Sequence, residues 1–381
     1  MLTLAVEAND EVNVFDPVLK RGRSIARCKY RNSVHRHKTA RVGPGHARTA
    51  PERQSMPIPT PVLHPPFHIV RLNHVALTVT DLAAARAFWV DTLGLQVTDE
   101  TADRIYLRAM EERGHHCAIL ERSDEPVARV LGFKVYSEED LDKAKNYFDA
   151  RGLSNRWIEQ PFQGRTLRVV DPLGVPLEFY FAMDKLPAIH QKYGLYRGGK
   201  LLRIDHFNCF SPDVQASVDF YNAIGFRITE YTESEDNGQL WAAWMHRKGG
   251  VHDVALTHGI GPRLHHVAFW VANPLNVLDL LDLMATTGYL ANIERGPGRH
   301  GISNAFFIYV RDPDGHRIEI YCSDYLTIDP DHEPLKWNLR DPQRQTLWGA
   351  PAPRSWFEEG TLYANTPIRP PNYQASPIIA A

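Results

Sequence analysis

The fold is decided by a stretch that occurs twice: Arg71-Leu-Asn-His-Val-Ala-Leu-Thr-Val-Thr-Asp-Leu, and again Arg203-Ile-Asp-His-Phe-Asn-Cys-Phe-Ser-Pro-Asp-Val. Both runs are strand-like, and both end in an acidic residue that can cap a following helix. Each predicted helix stops at a glycine, Gly94 or Gly225, as expected just beyond a helical segment. Such internal repetition indicates two tandem modules.

The ends of the two modules match as well. Asp171-Pro-Leu-Gly-Val-Pro-Leu-Glu-Phe-Tyr corresponds to Asp312-Pro-Asp-Gly-His-Arg-Ile-Glu-Ile-Tyr, and in each a tight turn leads into a strand. A second helix is predicted between the ends of each module, at about 139–151 and 274–287. The pattern predicts an α+β fold in which each module consists of two βαβββ units.

This repeat divides the chain into four parts. We predict an N-terminal extension at 1–66, a structural module at 67–190, a catalytic module at 200–323 and a C-terminal arm at 324–381. The arm is rich in Pro, Trp and Arg and repeats no other segment. Its sequence is equally compatible with a lid over the second module and with a strap that only packs against it.

Composition narrows the class of protein. The 381 residues are 43% hydrophobic and 23% charged, as in a globular protein, and no run approaches the roughly 20 apolar residues of a membrane helix. A formal net charge of −2 gives no reason to expect nucleic acid as a partner. The 4 cysteines are scattered without a disulfide or CxxC spacing, which favours a cytoplasmic location.

The N-terminal extension has a composition of its own. Residues 1–55 hold 11 Lys and Arg against 5 Asp and Glu, which is too acidic for a typical transit peptide. They also lack the apolar segment of a secretory signal. We interpret the extension as disordered or as the product of a start codon assigned too early, with Met56 a plausible true start.

Three side chains in the second module suggest a metal site. His206 and His266 lie in predicted strands, and Glu319 lies in a third, between two isoleucines. Two imidazoles and one carboxylate are the facial ligand set of non-haem Fe(II) oxygenases, and three protein ligands leave positions for substrate and O2. The neighbour His265 competes for the ligand role, but strand parity turns it to the opposite face, which favours His266.

Taken singly, each of these residues has an ordinary alternative. A histidine in a strand is usually a satisfied polar residue, and an isolated glutamate is usually solvated. The repeat strengthens the metal hypothesis by placing His206 and Glu319 at equivalent ends of one module. In the first module, His74 and Glu178 occupy those positions, but the segment 128–135 contains no histidine. We therefore predict one metal ion per chain, in the second module.

The chain resembles the vicinal oxygen chelate superfamily, and within it the type I extradiol dioxygenases, most closely those that act on 3,4-dihydroxyphenylacetate (homoprotocatechuate). The resemblance runs from about Arg71 to Phe357. The most specific blocks are Asp205-His-Phe-Asn, Trp241-Ala-Ala-Trp-Met-His-Arg-Lys, Val251-His-Asp, Arg263-Leu-His-His-Val-Ala-Phe, Glu294-Arg-Gly-Pro-Gly-Arg-His-Gly and Asp312-Pro-Asp-Gly-His-Arg-Ile-Glu-Ile-Tyr. The resemblance implies curved sheets around a cavity, Fe(II) or Mn(II) as cofactor, and a homotetramer.

Four catalytic residues follow from the resemblance. His252 matches an acid–base histidine near the metal, a task that suits an imidazole. Asn208 shares a strand face with His206 and is expected to hydrogen-bond bound oxygen. Tyr309 matches a tyrosine that hydrogen-bonds the substrate oxygen, and His300 a histidine near the substrate. Taken alone, His252 could equally be a loop histidine and Tyr309 an ordinary strand aromatic.

Four further residues are implied in substrate binding. Trp244 matches a pocket-wall tryptophan, and Ser303 is expected to add a hydrogen bond. Arg295 and Arg344 are expected to pair with a substrate carboxylate, since the arginine fork binds carboxylates in a bidentate manner. The family tends to have two successive arginines in the arm, whereas here Arg344 is followed by Gln345. This difference leaves the identity of the catechol open.

The resulting hypothesis is extradiol cleavage of a catechol by O2, with 3,4-dihydroxyphenylacetate giving 5-carboxymethyl-2-hydroxymuconate semialdehyde. One alternative is an extradiol dioxygenase for a plain or aryl-substituted catechol. Two others are a metal-free drug-binding resistance protein and a glyoxalase-type isomerase, which usually has four protein ligands. The sequence does not distinguish iron from manganese, because both accept this ligand set.

Overall fold

The computed structural model describes residues 58–373, which form two β-sheets with helices on them. The first sheet has the strand order β2-β3-β4-β1-β5-β8-β7-β6. Its strands are β1 (Ile69–Val79), β2 (Gln96–Glu100), β3 (Arg104–Arg108), β4 (Ala118–Arg122), β5 (Ala128–Val135), β6 (Asn155–Gln160), β7 (Gln163–Val170) and β8 (Pro176–Tyr180). Its helices are α1 (Leu82–Arg86), which continues as a π-helical segment at Ala87–Thr92, and α2 (Glu138–Ala150).

The second sheet repeats this arrangement. Its strands are β9 (Arg203–Ser211), β10 (Arg227–Glu233), β11 (Leu240–His246), β12 (Val254–His258), β13 (Arg263–Trp270), β14 (Ile293–Arg299), β15 (Phe306–Arg311) and β16 (Arg317–Cys322). Its helices are α3 (Val214–Ala223) and α4 (Pro274–Thr286). Each sheet thus contains two βαβββ units, and the predicted α+β fold of tandem modules is confirmed.

Helix boundaries follow from the residues that the repeat singled out. The side chain of Asp81 accepts hydrogen bonds from two backbone amides of α1, and Asp213 accepts one from an amide of α3. Gly94 and Gly225 follow the helices with φ of +88° and +94°, a left-handed conformation that glycine adopts without steric cost. Because the helices begin and end at matching residues, β2 and β10 follow at equivalent positions in their βαβββ units.

Polar and aromatic contacts join the two modules. The side chain of Asp253 accepts a hydrogen bond from the backbone amide of Leu72 at 2.9 Å, and Trp89 Nε1 donates to Asp312 Oδ2 at 3.1 Å. Phe133 of β5 lies against Phe207 of β9, with ring centroids 5.8 Å apart. Because one apolar core runs through both modules, they are not separate bodies.

The part of the predicted extension that the structure describes packs on the second module. The backbone carbonyl of Thr60 accepts a hydrogen bond from the Asn222 side chain at 3.1 Å, and Pro65 lies against Gly225. The segment 58–66 therefore packs against the second module. Contact with helix α3 supplies the burial that the sequence did not show. Residues 1–57 lie outside the described part of the chain.

The arm crosses the second sheet in several short elements. They are β17 (Leu335–Asn338), α5 (Pro342–Gln345), β18 (Trp348–Gly349), α6 (Arg354–Glu358) and β19 (Thr361–Leu362). Strand β17 pairs with β10, β18 pairs with β14, and β19 pairs with β13. Within residues 58–373, no helix is long and apolar enough to cross a membrane.

Candidate metal centre and substrate pocket

Three neighbouring strands of the second sheet bring the predicted ligands together. Strand β13 lies between β9 and β16, and the pairing places both His206 and Glu319 opposite Ala268. Glu319 Oε2 lies 3.0 Å from His206 Nε2 and 3.1 Å from His266 Nε2. The two imidazole Nε2 atoms are 3.3 Å apart. All three side chains are buried, and their ligand atoms face one point.

The tautomer of His206 is set by a carboxylate. His206 Nδ1 lies 3.1 Å from Asp205 Oδ2, which can only accept, so Nδ1 carries the proton and donates it. Asp205 is buried and also receives a hydrogen bond from the hydroxyl of Tyr321 and an ion pair from Lys248 at 3.2 Å. Nε2 of the neutral ring is left with its lone pair toward Glu319.

The tautomer of His266 is set by its neighbour. His265 Nε2 donates to the backbone carbonyl of Trp356 at 2.7 Å, which leaves Nδ1 of neutral His265 as an acceptor. His266 Nδ1 lies 2.6 Å from that atom and donates to it. His266 Nε2 is therefore also unprotonated. His265 is not a ligand but orients one, in agreement with the strand parity.

These partners make the site fit for a divalent cation. Two imidazole lone pairs and a carboxylate oxygen face one another in a buried space, an arrangement that is repulsive unless a cation lies between them. Nitrogen and oxygen donors in this number suit Fe(II) or Mn(II).

His252 lies beside the centre without being part of it. Its ring centroid is 3.8 Å from that of His206, and the side chain is buried. Its Nδ1 has no hydrogen-bond partner among the described residues. Burial lowers the pKa of His252 well below its ordinary value. A neutral imidazole with an unpaired nitrogen is placed to accept a proton from a molecule in the pocket.

His300 and Tyr309 form a second pair beside Glu319. His300 Nδ1 donates to the backbone carbonyl of Gln345, so Nε2 accepts a hydrogen bond from the Tyr309 hydroxyl at 3.0 Å. His300 Nε2 lies 3.7 Å from Glu319 Oε1, and its ring stacks on Phe307. The pair therefore lies next to the carboxylate of Glu319.

The remaining predicted residues divide into pocket walls and one residue behind them. The pocket is lined by His206, Asn208, Trp241, Trp244, His252, Thr257, His266, His300, Ile302, Ser303, Ala305, Tyr309, Glu319, Arg344, Gln345 and Trp356. Asn208 Oδ1 accepts a hydrogen bond from Thr257 at 3.0 Å, which turns the amide nitrogen of Asn208 away from Thr257. Trp241 supports Arg344, whose guanidinium carbon lies 4.8 Å from the ring centroid.

Arg344 and Gln345 bring polar donors from the arm. Both line the pocket, and neither Arg344 Nε nor Gln345 Nε2 has a hydrogen-bond partner within residues 58–373. Arg344 is only 2% exposed, and burial lowers its pKa to about 10, which still leaves it cationic at neutral pH. Buried donors without acceptors indicate that this end of the pocket receives an acceptor-rich group.

Arg295 is not among the residues that line the pocket. Its guanidinium lies between aromatic rings, with its carbon 4.9 Å from the centroids of both Phe307 and Trp356. Its Nη2 donates to the backbone carbonyl of Gln345 at 3.1 Å and to the hydroxyl of Thr346 at 2.9 Å. Arg295 therefore holds the arm from behind the pocket wall.

Several pocket residues were not identified from the sequence. Thr257, Ile302 and Ala305 are small or apolar strand and loop residues without a chemical signature. Trp356 lies in the arm, where no repeat provides an alignment.

The first module carries an incomplete counterpart of the metal centre. Strand register matches His74 and Glu178 to the first histidine and the glutamate of the second module. It matches Val130 to the second histidine. Arg168 of β7 stands where the second module has its pocket tyrosine, and its guanidinium donates to Glu178 Oε1. An arginine therefore supplies the positive charge next to this buried glutamate.

Comparisons with known proteins agree with this geometry. The family model described as Glyoxalase/Bleomycin resistance protein/Dioxygenase superfamily matches residues 71–179 and 203–320. The manganese-dependent 2,3-dihydroxybiphenyl 1,2-dioxygenase of Geobacillus genomosp. 3 is 31% identical over 74% of this chain and 94% of its own. The metapyrocatechase of Geobacillus stearothermophilus is 30% identical over 78% and 95%.

Solved structures are closer in sequence. An extradiol ring-cleaving dioxygenase from B. fuscum is 43% identical, with a TM-score of 0.78 over 84% of this chain and 91% of that one. The substrate complex of homoprotocatechuate 2,3-dioxygenase from Brevibacterium fuscum, with 3,4-dihydroxyphenylacetate, is 44% identical, with a TM-score of 0.77 over 82% and 99%. The chain belongs to the glyoxalase/bleomycin resistance protein/dioxygenase superfamily, and within it to the metal-dependent extradiol ring-cleaving dioxygenases.

Proposed function

We propose that the protein cleaves a catechol that carries a carboxylate, with 3,4-dihydroxyphenylacetate as the expected substrate and 5-carboxymethyl-2-hydroxymuconate semialdehyde as the product. The observation that carries this proposal is that Arg344 Nε and Gln345 Nε2, two of the unpaired buried donors of the pocket, lie in the same pocket as the three ligands. A carboxylate would satisfy both. The related B. fuscum enzyme was crystallised with 3,4-dihydroxyphenylacetate.

The metal ligands in this proposal are His206, His266 and Glu319, one set per chain. They would hold Fe(II) or Mn(II), which supplies a Lewis acid at which both catechol oxygens and O2 are brought side by side. The tautomers fixed by Asp205 and His265 keep the imidazoles ready to bind it. Because the site is buried, water competes poorly with the substrate.

Proton transfer is assigned to His252 and hydrogen bonding to three other residues. His252, which lines the pocket, accepts a catechol proton and returns it later in the reaction. The Tyr309 hydroxyl, held by His300, is placed beside the substrate oxygens. The amide of Asn208 faces the O2 side of the pocket in this scheme. Orientation by these groups adds to catalysis by limiting unproductive geometries.

Substrate selection is assigned to the arm and the loop before β15. Arg344 and Gln345 contact the carboxylate, Ser303 adds a hydrogen bond, and Trp244 forms a wall. Arg295 acts through the arm by holding the Gln345 carbonyl. Glutamine in place of a second arginine weakens the charge on this end, so we expect modest affinity for an arylacetate.

The domain roles complete the proposal. Residues 67–190 are assigned a structural role, 200–323 the catalytic role and 324–381 the role of a lid, since Arg344 and Trp356 of the arm line the pocket. A homotetramer and a cytoplasmic location remain predictions. They are tested by the mass of the native protein in solution and by fractionation of the source cells.

The direct test is anaerobic reconstitution with Fe(II) or Mn(II), followed by O2 and a panel of catechols. We expect a yellow semialdehyde from 3,4-dihydroxyphenylacetate with a lower KM than from catechol. Arg344→Met should raise the KM for 3,4-dihydroxyphenylacetate by about 10- to 100-fold, since a hydrogen bond to a charged group contributes about 1.5–3 kcal/mol. Arg340→Met, which removes an exposed arm arginine paired with Asp236, is the control.

A second candidate substrate is a plain or aryl-substituted catechol. Three tryptophans line the pocket, Trp241, Trp244 and Trp356, and one relative acts on 2,3-dihydroxybiphenyl. This alternative is supported if 3-phenylcatechol is cleaved faster than 3,4-dihydroxyphenylacetate and Arg344→Met leaves both KM values unchanged. That result would overturn the assignment of a carboxylated substrate but not the extradiol chemistry.

A further inference from the structure

A buried glutamate outside the metal centre joins the arm to the pocket. Glu230 lies on β10 and is fully buried. Its Oε1 accepts hydrogen bonds from the backbone amide of Ser303 at 2.7 Å and from the hydroxyl of Tyr325. Its Oε2 accepts a hydrogen bond from Trp337 Nε1 at 2.6 Å. The three donors come from three different segments of the chain. Among residues 58–373, no other single residue is hydrogen-bonded to all three segments in this way.

We propose that Glu230 is a positioning residue for substrate binding, which fastens the arm (residues 324–373) to the substrate loop (residues 300–304). Ser303 belongs to the substrate loop, Tyr325 to the beginning of the arm and Trp337 to β17 of the arm. Glu230 does not line the pocket and touches none of the metal ligands in the contacts described. It acts through the loop and the arm.

The chemistry of the site explains why a carboxylate occupies it. All three partners are donors, and an ionised carboxylate is an acceptor with no hydrogen of its own. No lysine or arginine forms an ion pair with Glu230 within the described chain, and burial raises its pKa. A buried carboxylate without a cation is costly, so the hydrogen bonds offset a real penalty. Glutamine would point an amide N–H at one of the donors.

The substrate loop depends on this support because its backbone is strained. Ser303 and Asn304 have φ of +57° and +55°, in the left-handed region that side chains with a Cβ rarely adopt. The amide of Ser303 is the group that Glu230 holds. Ile302 and Ser303 both line the pocket. A weaker hold on this amide would let the loop relax and change the pocket wall.

Arm and loop also fit closely at Gly301. A Cβ atom built on Gly301 would lie 2.9 Å from the Trp337 ring and 2.4 Å from the backbone carbonyl of Gln343. The amide of Gly301 donates to that carbonyl at 3.2 Å. Arg344 follows directly, so the position of Trp337 against Gly301 bears on where the arm places Arg344. Glu230 fixes the indole of Trp337 and therefore this contact.

The inference rests in part on the proposed role of Arg344 in carboxylate binding, and the experiment separates the two. The variant Glu230→Gln keeps size and shape but turns one oxygen into a donor. We expect faster backbone amide exchange in residues 300–304 and 335–345 of the metal-loaded enzyme. We also expect the KM for 3,4-dihydroxyphenylacetate to rise about tenfold, with kcat changed about twofold or less, the size expected from one lost hydrogen bond.

The matched control is Glu233→Gln. Glu233 lies on the same strand and pairs with the exposed Lys336 of β17 at 2.8 Å, so that solvent screens the ion pair and it contributes little. Its amide exchange and KM should stay close to those of the parent protein. If Glu230→Gln behaves like Glu233→Gln in both measurements, the proposal is wrong. If amide exchange rises but KM is unchanged for every catechol, Glu230 joins the arm to the substrate loop without affecting substrate binding. That result would also overturn the proposal.

A double-mutant cycle with Trp337→Phe tests the contact itself. Phenylalanine removes the Nε1 donor that would clash with the new amide group of Glu230→Gln. We expect the double variant to show less additional amide exchange than the sum of the two single variants, because they share one interaction. Additive effects would show that Glu230 and Trp337 act separately and would contradict the proposal that Glu230 fastens the arm through Trp337. Failure of the carboxylate hypothesis alone would leave this coupling intact.

Discussion

At the scale of single residues, the metal centre is prepared by groups that are not ligands. Asp205 accepts the proton of His206 Nδ1, and His265 accepts that of His266 Nδ1. Each ligand therefore presents an unprotonated Nε2 without a cost in proton release when a cation arrives. Such partners commonly contribute as much as 10- to 100-fold to metal affinity.

We expect the substitution His265→Phe to weaken metal binding by about 10- to 100-fold while the three ligands remain in place. The phenyl ring fills the space but cannot accept the proton of His266. Metal content after dialysis against a graded chelator measures the effect. His258→Phe is the control, since His258 is also a buried histidine bonded to an arm carbonyl, that of Tyr373. Equal loss in both variants would show a packing effect instead.

Replacement of His252 by Asn separates catalysis from metal binding. His252 lies beside His206, but its Nδ1 has no partner and it is not one of the converging ligands. We expect His252→Asn to lower turnover by about 10²- to 10⁴-fold, the usual contribution of a general acid–base group, with the metal content unchanged. Stopped-flow kinetics and metal analysis on the same sample measure both quantities. Loss of metal would assign His252 to the ligand set.

At the scale of elements, the two modules show how one framework supports two different sites. Strand β7 of the first module carries Arg168 where β15 of the second carries Tyr309. Burial opposes ionisation of Glu178, but His74 and Arg168 lower its pKa to about 2. The buried charge of Glu178 is thus balanced by side chains of the first module.

Arg168→Met should destabilise the protein by about 3–5 kcal/mol at neutral pH, the cost of leaving a buried carboxylate without its partner. The pKa of Glu178 is about 2 in the folded protein and about 4.3 in the unfolded chain. The stabilisation by the ionised Glu178 is therefore complete above about pH 4.3 and is lost as the pH falls toward 2. The variant should therefore lose less stability than the parent between pH 5 and pH 3. Urea unfolding at both pH values measures this.

The control for this variant lies on the same strand. Arg165 pairs with Asp142 on an exposed surface, and Arg165→Met should change the free energy of unfolding by less than about 1 kcal/mol. If both variants lose the same stability, the Arg168 guanidinium does not balance the buried charge of Glu178.

Elements with local signals could be predicted from sequence, and those set by distant contacts could not. The caps at Asp81 and Asp213 and the predicted helices at 139–151 and 274–287 depend on neighbouring residues, and the structure has α2 and α4 within a residue of those bounds. The convergence of the ligand strands followed from the repeat. Glu230 gave no signal, because its three donors come from segments far along the chain.

The arm shows the same limit most clearly. Arg344 was identified through a family resemblance, but the contact of Trp356 with His265 joins residues without any shared pattern. The structure packs the Arg295 side chain among aromatic rings, and its role in substrate binding stays a prediction. The periodicity of neighbouring residues does not indicate whether an arginine lines the pocket or packs behind its wall.

At the scale of the whole molecule, shared contacts make the two modules one cooperative unit. We expect a single unfolding transition in calorimetry, with the calorimetric enthalpy equal to the van't Hoff enthalpy. Trp89→Phe removes the bond from the first module to Asp312 and should lower the free energy of unfolding by about 1.5–3 kcal/mol without splitting the transition. Trp157→Phe, at a partly exposed tryptophan, is the control. Two separate transitions would contradict the shared core.

The hydrogen bond from His265 to the carbonyl of Trp356 has a consequence for biosynthesis. Trp356 is translated after all three ligands. A nascent chain that already contains the ligands therefore still lacks the carbonyl that accepts the hydrogen bond of His265, the residue that fixes the tautomer of His266. We therefore expect high-affinity loading of iron or manganese only after the arm has been made and has folded back. Ribosome-bound chains that end before Trp356 should hold metal only weakly, whatever the length of the catalytic module they expose.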